Sequence, residues 1–240
     1  MGPLAIIFNN MAIDINKVYR VVLAILNKEQ RGYLTPDQFN RLGRQAQLDL
    51  FEKSFYDYNR AFVKESRIGS SSEYGNIVGN IQEKIDIFSA SGTLTFTSGV
   101  AAEPANLYRT ILITINGDTE VEQVKKTELA YLNSSKLTAP TTLYPVYYNE
   151  GDNVKIFPTT ISSANIDYIR KPLDPLWAFN SSGGAYTYNE AGSTDFELHP
   201  SEETLLVTKI LAYAGVILKD PTVIQVAAQE EANKFTKENS

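Results

Sequence analysis

The chain has 240 residues, 43% of them hydrophobic, which is enough to bury a core in one large domain or in two compact regions. Its formal net charge of -6 and pI ≈ 5.0 speak against a nucleic-acid-binding face held by phosphate contacts, which needs clustered Lys and Arg. Without cysteine there is no disulfide framework, no thiolate metal site and no cysteine nucleophile, and the redox compartment is left open.

Met1 to Phe8 is apolar, has no basic lead-in and is too short for a signal-peptide core. Residues 1–12 therefore read as an N-terminal arm. Leu4, Ile6, Ile7 and Phe8 are candidate contacts with a neighbouring subunit, packing within the chain being the alternative. Met11-Ala-Ile-Asp14 would itself suit a chain start. The longest uninterrupted apolar run, Val21 to Leu26, falls far short of the roughly 20 residues that span a bilayer, so a soluble protein is expected.

Asp14 suits an N-cap, and Ile15, Val18, Val22 and Ile25 follow at three- and four-residue steps, the pattern of an amphipathic helix. Gly32 fits the left-handed cap that ends a helix, Thr35 the next N-cap and Pro36 the first helical position. Gln38 completes a Thr-x-x-Gln capping box, with Leu34 and Phe39 as its hydrophobic staple. Residues 13–68 thus predict a helical hairpin. Asn27, Glu29, Gly32 and Leu34 also fall where a calcium-binding EF-hand loop has two ligands, its glycine and its apolar anchor. Arg31 and Gln38 spoil that reading, since a cation and an amide replace two oxygen anions. In the second helix Phe39, Leu42, Ala46 and Leu50 continue the period. Phe51, Phe55, Tyr58 and Phe62 widen the apolar face, which implies burial in the core or against other subunits.

Gly69-Ser-Ser-Ser72 breaks the helical pattern, and residues 69–194 read as an inserted β-rich region. From about Gly92 to Pro172 the chain is rich in Thr, Val, Ile and Tyr with turn residues at short intervals. Expected strands are Thr93 to Thr97, Leu107 to Ile115 paired with Glu120 to Val124 across Asn116-Gly117, Tyr144 to Tyr148 with Val154 to Phe157, and Asn165 to Arg170. Thr127 to Leu132 adds a helical turn. The chain leaves the sheet through Pro172 and Pro175, beside Arg170 and Lys171, and reaches its one tryptophan, Trp177. That indole closes one end of the sheet or anchors a protein interface. Tyr186 and Tyr188, between Gly/Ser clusters, read as a mobile loop or a two-stranded flap.

Residues 195–240 return to helix. Pro200 opens the first turn, and Glu202 and Glu203 complement the positive end of the dipole. Leu205, Leu206, Ile210, Leu211, Ala214, Ile217 and Leu218 form an apolar face. Asp220 and Pro221 start a last helix through Val223, Val226, Ala227 and Ala228. Helices before and after a β-region predict an α+β protein in which the terminal helices form one bundle around an inserted antiparallel β-domain. The N-terminal hairpin should pack on the helix from Ser201 to Leu218.

Catalytic patterns are absent from the sequence. His199 is the single histidine and suits capping or packing. There is no Gly-x-Ser-x-Gly elbow, phosphate loop or dinucleotide turn. The expectation is a protein that is not an enzyme and carries no metal or cofactor.

Three segments carry a family resemblance. Ile13 to Asn40, beginning Ile13-Asp-Ile-Asn-Lys-Val-Tyr19, resembles the start of a family of structural proteins from podovirus-like and crAss-like tailed phages. Tyr147-Tyr-Asn-Glu-Gly-Asp-Asn-Val-Lys-Ile-Phe-Pro158, with Tyr168-Ile-Arg-Lys-Pro172, is similar to its middle. Asp195-Phe-Glu-Leu-His-Pro-Ser-Glu202 and Tyr213-Ala-Gly215 are similar to its end. The resemblance spans nearly the whole chain and brings no catalytic residues with it. It implies a virion protein of the head-to-tail connector, an adaptor in a closed ring of twelve copies next to the portal and other tail rings. DNA would pass the lumen without specific binding, and no membrane would be involved. Arg170, Lys171, Trp177, Tyr186 and Tyr188 join the arm as candidate interface residues. The competing reading is a virion recognition or fibre-attachment module that binds carbohydrate or protein through the Tyr-rich loop.

Overall fold

The computed structural model describes residues 12–28, 34–68, 81–183 and 185–217, together with Gln229. The chain is α+β with antiparallel sheets and divides into two compact units. One draws on Met1–Ile87 and Pro172–Ser240, the other is Phe88–Lys171. The arm with Leu4, Ile6, Ile7 and Phe8, the Gly32 cap, the Gly69 to Ser72 break and the helix expected after Asp220 lie outside the described residues.

In the first unit α1 (Ile15–Lys28) starts under two carboxylates. Asp14 accepts from the Lys17 N–H (2.9 Å) and Asp195 from the Ile15 N–H (3.0 Å), which places negative charge where the helix dipole is positive. The buried face is Ile15, Val18, Tyr19, Val22 and Leu26. Ile25, expected on that face, is exposed. At 3.6 residues per turn Leu26, not Ile25, completes three turns from Ile15.

α2 (Pro36–Ile68) opens with the expected capping box. The Thr35 N–H donates to Gln38 Oε1 (3.0 Å), and the Gln38 N–H donates back to Thr35 Oγ1 (3.3 Å). Leu34 and Phe39, the two residues of the staple, are both buried. Along α2 Phe39, Gly43, Ala46, Leu50 and Phe51 face the core. Gly43 permits a close approach, since a Cβ there would lie 3.0 Å from Cζ of the fully buried Phe196.

α4 (Glu203–Ile217) packs against both α1 and α2 through Leu205, Leu206, Ile210 and Ala214. His199 serves as a cap, its Nδ1 accepting from the Ser201 N–H (3.2 Å). Glu202 and Glu203 do more than complement a dipole. Glu202, almost fully buried, pairs with Lys84 (2.6 Å), and Glu203 pairs with Lys17 of α1 (2.7 Å). Each ties the start of α4 to a distant part of the chain.

The second unit holds two four-stranded sheets. The first has the order β1 (Ser89–Thr95), β8 (Ser163–Arg170), β3 (Leu107–Ile115), β4 (Thr119–Glu120). The second has the order β2 (Val100–Ala102), β7 (Asn153–Phe157), β6 (Val146–Glu150), β5 (Glu122–Gln123). Leu94, Ile113, Ile115, Ala164 and Ile166 of the first sheet meet Ala101, Tyr147, Val154 and Ile156 of the second in one core. Alternation along β8, where every second residue from Ala164 to Tyr168 is buried, reflects the period of two that points one set of side chains inward.

The Asn116-Gly117 turn takes positive φ at both residues, 53° and 94°, as its composition predicts. The strand expected from Glu120 to Val124 is split. Thr119 and Glu120 pair with β3. Beyond the buried Val121 the chain crosses to the second sheet, where Glu122 and Gln123 run parallel to β6. A buried Val flanked by carboxylates reads as one alternating strand, and only the two cores decide that it is a crossing point. α3 (Lys126–Leu132) then covers the outer face of the second sheet, Leu129 packing with Val146 and Tyr148.

Candidate interaction surfaces

Residues 172–198 begin and end in irregular stretches of the helical unit that side-chain amides hold at Leu173, Trp177 and Glu197. Asn40 of α2 brackets the backbone of Trp177, accepting from its N–H (2.8 Å) and donating to its carbonyl (3.2 Å). Gln47, buried in α2, donates to the Leu173 carbonyl (2.7 Å) and accepts from the Glu197 N–H (2.9 Å). Backbone bridges Ile13–Phe196 and Leu176–Thr194 complete the fastening. Each amide offers a donor and an acceptor at one point, so it can serve a backbone segment that has no ladder partner.

Trp177 is 4% exposed. Its indole N–H donates to Asn16 Oδ1 (3.2 Å), and its ring lies 4.4 Å from Tyr19 and 5.5 Å from Tyr188. The ring is packed within its own chain, on Tyr19 of α1 and on the paired Phe179 and Tyr188, and a ring so enclosed has no face to offer a partner. β9 (Phe179–Ser182) and β10 (Ala185–Tyr188) form the expected flap, with Phe179 against Trp177 and Tyr186. Tyr186 is exposed and Tyr188 half-buried. Arg170 and Lys171 close the second unit instead. The Arg170 guanidinium lies 6.0 Å from the Phe88 ring, and the Lys171 N–H donates to the Asn106 carbonyl (2.7 Å).

A second surface escaped the sequence reading. At the end of α3 and in the loop that follows, Leu137 is 94% exposed, Tyr144 79%, Tyr131 77% and Leu143 74%. The loop is shaped by its own hydrogen bonds. Thr138 Oγ1 donates to the Leu132 carbonyl (2.8 Å), the Ala139 N–H to the Ser135 carbonyl (3.0 Å), and Thr141 and Tyr144 exchange backbone bonds. From Leu129 to Asn149 the one charged residue is Lys136. The available signal was large apolar residues in a Ser/Thr/Pro segment with neither helical nor strand period, where no regular face can bury them.

Other exposed apolar side chains stand on the helices, Val21 and Ile25 on α1 and Leu48 and Tyr56 on α2, and on strands and loops, among them Tyr108, Ile111, Leu173 and Leu176. Unpartnered apolar residues of this size mark contact surfaces when they group together.

One charged cluster is well organised. Glu150, at the β6–β7 turn, takes Lys126 (2.5 Å) on one oxygen and Lys155 on the other. These hydrogen bonds, Lys126 first, hold its carboxyl down at about 2. Such a network fastens α3 to the turn. Among the described residues no group of three or more His, Asp or Glu is placed to hold a metal ion, and no helix is long and apolar enough to cross a membrane. Gln38, which the EF-hand alignment would need as a ligand, spends its carbonyl on the Thr35 N–H. No protein-family model matches the chain, and no curated protein matches it.

Proposed function

We propose that this protein is a structural subunit of a phage head-to-tail connector, one copy in a closed ring through which DNA passes. The terminal helices form a bundle around an inserted β-domain. The bundle packs laterally, while the β-domain and its loops meet the portal or an adjoining tail ring. The resemblance supplies the identity of the assembly and the expected twelve copies. The observation that carries the reading is the set of large apolar side chains held outward on both units, Leu137, Leu143 and Tyr144 on one and Leu48 and Tyr56 on the other. A subunit with neighbours on several sides needs such surfaces, and a monomer gains nothing from them. Net charge -6 suits a wall that lets DNA slide, because it repels phosphate.

The recognition-module reading leans on an aromatic flap, yet Trp177 and Tyr188 spend their rings on packing within the chain. An averaged image of the virion neck tests the proposal. A closed ring coaxial with the DNA path is expected. A peripheral monomer, or a position outside the neck, would replace it with the recognition module.

A further inference from the structure

The loop after α3 and the outer ridge of α2 have complementary chemistry. Leu48, Glu52 and Tyr56 are exposed and follow one another at four-residue steps, so they form a single ridge about 12 Å long at 1.5 Å rise per residue. The order along the ridge is apolar, carboxylate, apolar. The loop presents Lys136 next to Leu137, with Leu143 and Tyr144 close in sequence, and it carries no carboxylate anywhere from Leu129 to Asn149.

We infer that this loop of one copy docks on the Leu48–Glu52–Tyr56 ridge of a second copy. Lys136 meets Glu52, and the leucines and tyrosines pack on either side. The inference rests on the ring reading and names its subunit contact. Three observations select this occupant and this site. First, the loop has a single charge, presents Leu137, Leu143 and Tyr144 outward and is pre-shaped by its own hydrogen bonds, so docking costs little ordering. Second, the complement to its single cation is present on the same chain. The apolar row of α1, Val21 and Ile25, offers none, because α1 contains no carboxylate from Ile15 to Lys28; Asp174, between the exposed Leu173 and Leu176, is already paired with Arg44 (3.3 Å), and Tyr108 and Ile111 flank a cation, Arg109. Third, donor and acceptor are different patches. Every copy therefore uses both, and the contact repeats head to tail until rotation closes it.

The test uses the full chain and light-scattering mass across a concentration series. Wild type should form a closed multimer. Leu137→Asp combined with Tyr144→Ser should remain monomeric with unchanged circular dichroism and melting, since both side chains are exposed. Lys136→Glu and Glu52→Lys should each weaken assembly about tenfold, and the double charge swap should recover most of it. If the singles weaken assembly and the swap does not restore it, the loop does not meet this ridge. If the loop variant assembles as wild type, this contact is wrong while the ring stands, including where that ring then fails to join the virion and so reveals a different partner for the loop. A wild type that stays monomeric at every concentration overturns both readings.

Discussion

The two units solve the problem of holding a chain together in opposite ways. In the Phe88–Lys171 unit the backbone itself makes the tertiary contacts: β8 lies between β1 and β3, both distant in sequence, and β7 between its hairpin neighbour β6 and the distant β2, so each central strand spends N–H and C=O groups on a partner far along the chain. The helical unit has little of this resource, because α-helices satisfy their backbone internally and its only described long-range backbone pairs between elements are short bridges such as Ile13–Phe196. Side chains do most of the fastening: Asn16, Asn40 and Gln47 hold the segment after Pro172, and Lys17 and Lys84 hold the start of α4. Ladders tolerate many side chains, whereas clamps depend on a few particular ones.

Leu206, fully buried in α4, replaced by Asp places a lone carboxylate in the helical core and should cost several kcal/mol, unfolding that unit. Amide exchange followed by NMR should show Val154 and Ile166 still protected, because the sandwich core contains no residue of α4. Loss of protection in both units together would mean they fold as one.

Within the sandwich Ile166→Ala removes a fully buried side chain from the central strand and should cost about 2–5 kcal/mol without changing the strand register, read from denaturant midpoints and cross-strand NOEs. Asn40→Ala leaves the Trp177 N–H and carbonyl without their partner and should cost about 1–3 kcal/mol. The tryptophan fluorescence should shift red as the segment loosens. A backbone clamp that proved dispensable would erase the distinction between the units. Thr35→Ala removes one half of the capping box and should cost about 1 kcal/mol in thermal unfolding.

The smallest effect concerns Glu150. Its carboxyl is lowered in the folded chain to about 2 by hydrogen bonds from Lys126 and then Lys155. A depressed carboxylate contributes stability that is present above its unfolded value and is lost as pH falls through about 2. Because the pair is on the surface, the change should be slight. Carboxyl chemical shifts of Glu150 between pH 5 and pH 2 should report the titration, and Lys126→Ala should move it upward.

Much of this was legible along the chain because the signals are local. The Thr35–Gln38 box, the Asp14 cap, the Asn116-Gly117 turn and the β6–β7 hairpin each depend on residues within a few positions, and each formed where composition placed it. Failures arose where one residue had two equally regular interpretations. Val121 looks like mid-strand and is a crossing between sheets, and nothing in the helical period marks Gln47, which is buried as a clamp. Trp177 followed a strand and two prolines, which suggested the sheet, but its indole found Asn16 and Tyr19 on α1.

By itself, then, the order of residues determined where the capped helices α1 and α2 begin, where the Asn116-Gly117 and β6–β7 turns fall, and that the class is α+β, since caps, turns and periodicity act over one or two turns of chain. Only the tertiary structure decided which polar side chains become clamps, where the chain changes sheets, and that Leu137, Leu143 and Tyr144 end outside any core. Those outcomes depend on what lies opposite a residue after folding: a leucine gains from burial and a buried amide needs a hydrogen-bond partner, but the residue alone does not say whether the fold will supply either.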